Sequence, residues 1–265
     1  MKKLKRIGLK FTNALIFAIA LFTGPISFSY AQHSDIWLTL VDNQVAPTEI
    51  NSETNSAALI DLTTGKFLYP TSFGTFNNPD TTDNPGFQSL SNTFNPNDYI
   101  YYRAVGSLWF WNGQAWVENV VDQERVRIRD VVYSNSYVTE DGVSNPEGAI
   151  AQISGSGSIH QHIDFFIENL GSDAPAIGVY MIDIELFVTN TPGGSLETHL
   201  SSDPVRIAFN YQMSEAEFSD AINALTSQPE LEIVSVPIPN GVLFLLAAVL
   251  LISGSYRKPP KTTER

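Results

Sequence analysis

Short runs rich in Val, Ile, Tyr, Phe and Trp recur between clusters of Asn, Pro and Gly over residues 32–225, and helical periodicity is almost absent there. Apolar runs bounded by turn formers predict strands, here at Ile36 to Val41, Ala57 to Leu62, Tyr99 to Arg103, Ile159 to Ile167, Ile177 to Val188 and Val205 to Phe209. Leu108-Trp109-Phe110-Trp111, then Asn112-Gly113, then Gln114-Ala115-Trp116-Val117 predict a hairpin. Its Asn-Gly pair suits the two positive φ angles of a type I′ turn. From Arg125 onward, Val126 and Ile128 alternate with Arg125, Arg127 and Arg129, so one strand face is apolar and the other cationic. That cationic face is expected to pair with nearby acids, an anion site being the alternative.

Residues 70–98, rich in Asn, Thr, Pro and Asp around Asp83-Asn84-Pro85-Gly86-Phe87, predict a long surface loop. Gly155-Ser156-Gly157-Ser158 predicts a flexible turn. Only at Ser214 does the pattern change. Ser214 and Glu217 form a capping box, and Phe218, Ile222 and Leu225 share a helical face. The expected fold is therefore all-β: a sandwich-like antiparallel domain over residues 32–225, closed by one short C-terminal helix.

Two apolar runs lie outside this pattern. Lys2, Lys3, Lys5, Arg6 and Lys10 precede an apolar stretch from Ala14 to Phe22, and Ser29-Tyr30-Ala31 offers small residues where a signal peptidase reads. Residues 1–31 are thus expected to be a signal peptide, and the mature chain to begin near Gln32. At the other end, after a linker at 226–235, come Val236-Pro237-Ile238-Pro239, Asn240-Gly241, an apolar run at 242–252, and Arg257, Lys258 and Lys261. Such a run is shorter than the ~20 residues that span a bilayer comfortably, and the basic residues favour a cytoplasmic end. It reads as a transient stop in the inner membrane, with a plain anchor helix as the alternative. Residues 236–265 resemble the PEP-CTERM sorting signals in their VPxP variant. The resemblance implies recognition by an exosortase-type sorting enzyme and a destination at the cell surface or beyond it. Here Pro259-Pro260, not a dense Arg cluster, follows Arg257-Lys258.

Removing the ends sharpens the electrostatics. The whole chain has a formal charge of −13, from 15 Lys and Arg against 28 Asp and Glu. Nine of those bases but only Glu264 among the acids lie in the two terminal segments, which leaves six bases and 27 acids, about −21, between them. That surface repels nucleic acid and anionic lipid, attracts cations, and keeps an exported domain soluble. The chain has no cysteine and therefore no disulfide framework.

Candidate chemistry rests on four histidines: His33, His160, His162 and His199. Alternate side chains of an extended strand point to one face, so His160, His162 and Asp164 are expected to share a face, the two histidine Cα atoms about 7 Å apart. Neutral imidazoles so placed suit zinc, copper, iron or nickel. His33 or Asp35 offers a third ligand and His199 a last one, against the alternative that the pair merely decorates a polar face. The motifs His33-Ser34-Asp35-Ile36-Trp37, Asp83-Asn84-Pro85-Gly86-Phe87, Gly157-Ser158-Ile159-His160-Gln161-His162 and Gly178-Val179-Tyr180 resemble the Zur-repressed PEP-CTERM surface proteins, themselves similar to the choice-of-anchor M domain. That resemblance implies an exported β protein made when zinc is scarce, with His33, Asp35, His160 and His162 as the metal ligands and no established activity.

The expected function is accordingly capture of a divalent transition metal, Zn²⁺ above others, for scavenging or storage, and not catalysis. Two other classes compete. A cupin-like metalloenzyme would use Glu168 and Gly171 after the His pair, but Glu168 comes late and no second motif follows. A structural or adhesive matrix protein would stack Trp109, Trp111 and Trp116 on exopolysaccharide, whereas core packing of the hairpin would bury them.

Overall fold

A computed structural model describes residues 35–227 except 49, 52–55, 58, 75–76, 119–122, 172 and 195. The segments expected to be a signal peptide (1–31) and a sorting signal (236–265), together with His33, lie outside the described residues. Among those described, no helix is long and apolar enough to cross a membrane.

The chain is mostly β, with strands numbered β1 to β18 in chain order. The largest sheet runs β10 (Trp116–Val117), β9 (Tyr99–Trp111), β17 (Gly178–Thr189), β18 (Val205–Tyr211), β6 (Phe67–Ser72) and β5 (Leu59–Ile60), with β14 (Glu147–Gln152) also on β9. A second runs β13 (Gly142–Ser144), β12 (Asn135–Thr139), β11 (Glu124–Arg129), β16 (Asp164–Asn169) and β7 (Thr81–Thr82). The third runs β15 (His160–Gln161), β8 (Phe87–Ser89), β1 (Ile36–Val41) and β2 (Gln44–Pro47). A separate two-stranded pair joins β3 (Ile50–Asn51) to β4 (Ser56–Ala57). Pairing is antiparallel throughout except for β1 with β8 and β18 with β6.

One face of the large sheet packs against the other two. Tyr102, Leu108, Tyr180, Ile182, Ile184, Ile207 and Phe209 meet Val126, Ile128, Phe165 and Ile167 of the second sheet and Ile36, Leu38 and Phe87 of the third in a single core. The opposite face carries α1 (Glu215–Thr226), whose Phe218, Ala221, Ile222 and Leu225 cover Leu68, Trp111, Val179, Met181 and Ala208. Being covered on both faces, β17 and β18 read as nearly continuous apolar runs and not as alternation. The expected capping box is present, Ser214 and Glu217 satisfying each other's backbone N–H. Ser214→Ala should lower stability by about 1 kcal/mol, seen as a reduced denaturation midpoint with an unchanged slope.

Three expectations of local structure are corrected. The hairpin between β9 and β10 pairs Trp111 with Trp116, so its loop has four residues, Asn112 to Ala115, instead of a two-residue type I′ turn. Asn112 Oδ1 accepts the N–H groups of Gln114 and Ala115, a side-chain turn that competes with the tight one. The stretch 70–98 is not simply a surface loop, because it supplies β7 and β8, and Phe87 of β8 is fully buried. Finally, Ile159 to Ile167 is not one strand: β15 belongs to the third sheet and β16 to the second. Ile163, 3% exposed, drops into the core between them.

The arginine strand behaves as its alternation predicts. Val126 and Ile128 are fully buried, while Arg125 and Arg127 share Glu168 and Arg129 holds Asp164. The guanidinium groups of Arg125 and Arg127 also lie over the rings of Tyr137 and Phe166, at 4.0 and 3.6 Å. These cations are neutralised in place, which disfavours the anion-site alternative.

Candidate metal centre

Two backbone registers bring the site together. Ile36 of β1 pairs with Phe87 of β8, and Gln161 of β15 pairs with the same Phe87 from the other side. Continuing each ladder by one residue sets Asp35, Gly86 and His162 in one row across three neighbouring chain segments. His160 lies beside Gln88, two residues along β8. Side chains two positions apart on a β segment share a face, so His160 and the Asp35–Gly86–His162 row converge.

The geometry bears this out. Asp35, His160 and His162 each present a ligand atom within 4.8 Å of the others'. His160 Nε2 is 3.5 Å from Asp35 Oδ2, and the two imidazole centroids are 5.6 Å apart. Zinc bonds of about 2.0–2.1 Å set tetrahedral ligand atoms about 3.3 Å apart, so small rotamer adjustments would close the set on one ion. Imidazole, imidazole and carboxylate form a donor set that suits a divalent transition metal and is poor for Ca²⁺ or Mg²⁺, which favour oxygen alone.

The backbone supports two of these ligands. Asp35 is almost buried, and its Oδ1 accepts the Gly86 N–H at 3.1 Å. His162 Nδ1 donates to the Asp83 carbonyl at 2.8 Å, which leaves its Nε2 lone pair for a ligand bond. Metal-binding histidines are commonly oriented in this way through their second nitrogen. The Gln161 side-chain amide caps the His162 carbonyl at 2.8 Å, satisfying an acceptor that the break between β15 and β16 would otherwise orphan.

Gly86 is required for space. A Cβ there would sit 2.6 Å from His162 Cε1, 2.7 Å from His162 Nε2 and 2.8 Å from Asp35 Oδ1. A bare Cα in the middle of the row is what lets the ligands on either side meet above it. Gly86→Ala should reduce zinc affinity about ten- to a hundredfold, the range for losing support of a metal ligand. Isothermal titration is the check, and unchanged affinity would mean that Asp35 and His162 need not meet above residue 86.

His199 is not part of the site. Its Nδ1 donates to Asn43 Oδ1 at 2.8 Å, and the neighbouring Leu200 bonds through its backbone to Asn43 and Val45. Asn43 follows the far end of β1, whose six residues span about 20 Å from the Asp35 end. Asp164 is likewise removed, since the break carries it to the second sheet and Arg129. His33 cannot be assigned a place, lying outside the described residues. Sequence reasoning missed the roles of Gly86 and the Asp83 carbonyl. Asp83-Asn84-Pro85-Gly86-Phe87 was among the motifs carrying the resemblance, but its local pattern says only loop and assigns neither residue a part in the site.

Charge around the centre is uniformly negative. All six Lys and Arg between residues 32 and 225 are paired with acids elsewhere: Lys66 with Asp183, Arg103 with Glu147, Glu185 and Glu197, Arg206 with Asp61 and Asp183, and the three of β11 as above. Asp83 Oδ2, 4.0 Å from His162 Nδ1, adds a second carboxylate beside the cluster.

The residues behind the competing readings sit elsewhere. Glu168, which a cupin-like site would need, holds Arg125 and Arg127. Trp111 is buried, and Trp109 and Trp116 pack beside it under α1, where Trp116 Nε1 donates to the Ala221 carbonyl at 3.0 Å. Core packing of the hairpin, and not an aromatic platform, accounts for them. Compared with known proteins, the chain matches no family model and no curated protein sequence.

Proposed function

We propose that this is an exported, surface-sorted protein that binds a divalent transition metal, zinc first among them, for scavenging or storage. The observation that carries the reading is the convergence of Asp35, His160 and His162 from separate stretches of chain, with Asp35 and His162 oriented by backbone groups. The acidic surface concentrates cations without choosing among them, and the imidazoles select for a transition metal. Export and sorting rest on the sequence of the two ends and on the resemblance to PEP-CTERM surface proteins, with signal peptidase and an exosortase-type enzyme as the processing partners.

Elemental analysis of the purified full-length protein, dialysed against trace zinc beside a His160→Ala/His162→Ala double variant, tests this. One zinc per parent chain and none in the variant is the expected outcome. A folded parent that retains no divalent transition metal would overturn the reading and favour a matrix role without metal.

A further inference from the structure

We propose that Gln88 is a positioning residue for the metal centre: its side-chain amide oxygen accepts a hydrogen bond from His160 Nδ1 and so turns the opposite ring nitrogen, Nε2, toward the metal. This inference rests on the metal-binding reading above and assigns a further residue to that site.

Two of the ligands are already oriented by the segment around β8, Asp35 through the Gly86 N–H and His162 through the Asp83 carbonyl. His160 differs. Its side chain is 62% exposed, its Nε2 faces Asp35 at 3.5 Å, and among the described residues no backbone group holds its Nδ1. A metal-bound histidine almost always gives its second N–H to a carbonyl, a carboxylate or water, so this ring lacks an acceptor that its neighbour has.

Gln88 stands where that acceptor is needed. It lies directly across from His160 in the antiparallel ladder of β8 and β15. Directly opposed residues point to one face, their Cβ atoms about 4.5–5.5 Å apart. Phe87 is buried in the core, so the alternation of β8 places Gln88 on the outer face, with Gly86 and the ligands. With Nε2 aimed at Asp35, Nδ1 lies on the backbone side of the His160 ring, toward its cross-strand neighbour.

The Gln88 oxygen is in turn short of a donor. It is buried and has no hydrogen-bond partner among the described residues. An acceptor left unpaired away from water is costly, and one closed off from solvent is satisfied only by a neighbouring group. Trp37, paired with Gln88 from the β1 side, keeps a buried indole N–H that is likewise unpartnered. An amide oxygen has two lone pairs, so it can accept from Trp37 and His160 together. The segment from Asp83 to Gln88 would then orient Asp35, His160 and His162 alike.

Gln88→Met keeps the length of the side chain and removes the acceptor, whereas Gln88→Glu keeps an acceptor oxygen. Zinc affinity of the full-length parent and both variants would be measured by chelator competition, and the ring N–H protons of the zinc-loaded proteins by NMR of isotope-labelled histidine. The parent should show slowly exchanging Nδ1–H protons on both His160 and His162. Gln88→Met should bind zinc about tenfold more weakly and lose the His160 signal alone, and Gln88→Glu should restore it. A His160 ring proton that exchanges freely in the parent, or zinc affinity unchanged in Gln88→Met, would overturn the inference and leave the metal-binding reading intact. Loss of both ring signals in Gln88→Met would also overturn it, by making Gln88 a general packing residue. A parent that binds no zinc would remove that reading, and this inference with it.

Discussion

Replacing His162 with alanine is expected to lower zinc affinity by about a hundredfold or more, because it deletes a ligand whose orientation the backbone has already established. Losing only the hydrogen bond that orients a metal-bound histidine costs ten- to a hundredfold, and the variant loses both that bond and the ligand. The half-exposed ring lies outside the core cluster, so the metal-free variant should unfold at nearly the parent's denaturant midpoint. Competition against a chromogenic chelator gives the affinity, and a denaturation curve without metal gives the control. Equal zinc affinities in parent and variant would remove His162 from the site. His160→Ala should weaken binding less, since His160 lies at the exposed rim without backbone support.

Arg206→Ala should lower stability by about 3–5 kcal/mol, the cost of stripping the partner from buried charges. Arg206 is 6% exposed on the helix-facing side of β18 and pairs with Asp61, which is fully buried, and with Asp183 at 3.0 Å. Lys66 reaches the other oxygen of Asp183 at 2.6 Å but does not pair with Asp61. Urea denaturation of parent and variant measures the loss, and a difference below about 1 kcal/mol, the range of an exposed pair, would show that Asp61 finds other solvation.

The same cluster shapes the acid limb of stability. Burial acts to raise the Asp61 carboxyl, but hydrogen bonds from Thr63 and Thr64, together with the Arg206 charge, outweigh it and hold the group below its ordinary value of 3.8. A carboxylate depressed by folding contributes stability that is complete above the unfolded-state value and is lost as pH falls through the folded-state value. Stability from this group should therefore be level above about pH 5 and decline below 3.8. Asp61→Asn should reduce stability at neutral pH and flatten that decline, which denaturation midpoints across the pH range would reveal.

Much of the fold was legible because local pattern and tertiary demand agreed. Ile36–Val41 is a strand as its apolar run predicts, the Arg125-to-Arg129 alternation places cations outward and Val126 and Ile128 inward, and the Ser214 box starts the only helix among the described residues. The long Ile159-to-Ile167 run misled because alternation does not reveal a change of sheet. The side chains at Ile159, Ile163, Phe165 and Ile167 are buried on both sides of the break, so the hydrophobic pattern continues across a backbone that turns.

The site was half legible. His160 and His162 stand out by rarity and spacing, and Asp35 was among the candidates for a third ligand. Which candidates meet is a question of register between segments about 50 and 75 residues apart, and a register one residue off would turn every side chain to the opposite face. Composition, the turn signals, the capping box and the two-residue spacing of the histidines are local properties, and the sequence alone determined an acidic β domain with one closing helix and an imidazole pair. The meeting of Asp35 with the pair, the placement of His199 away from it, the roles of Gly86 and the Asp83 carbonyl, and the separation of Asp164 were decided only by the tertiary structure. Each depends on β8 threading between β1 and β15, where long-range hydrogen bonding and core burial select the neighbours.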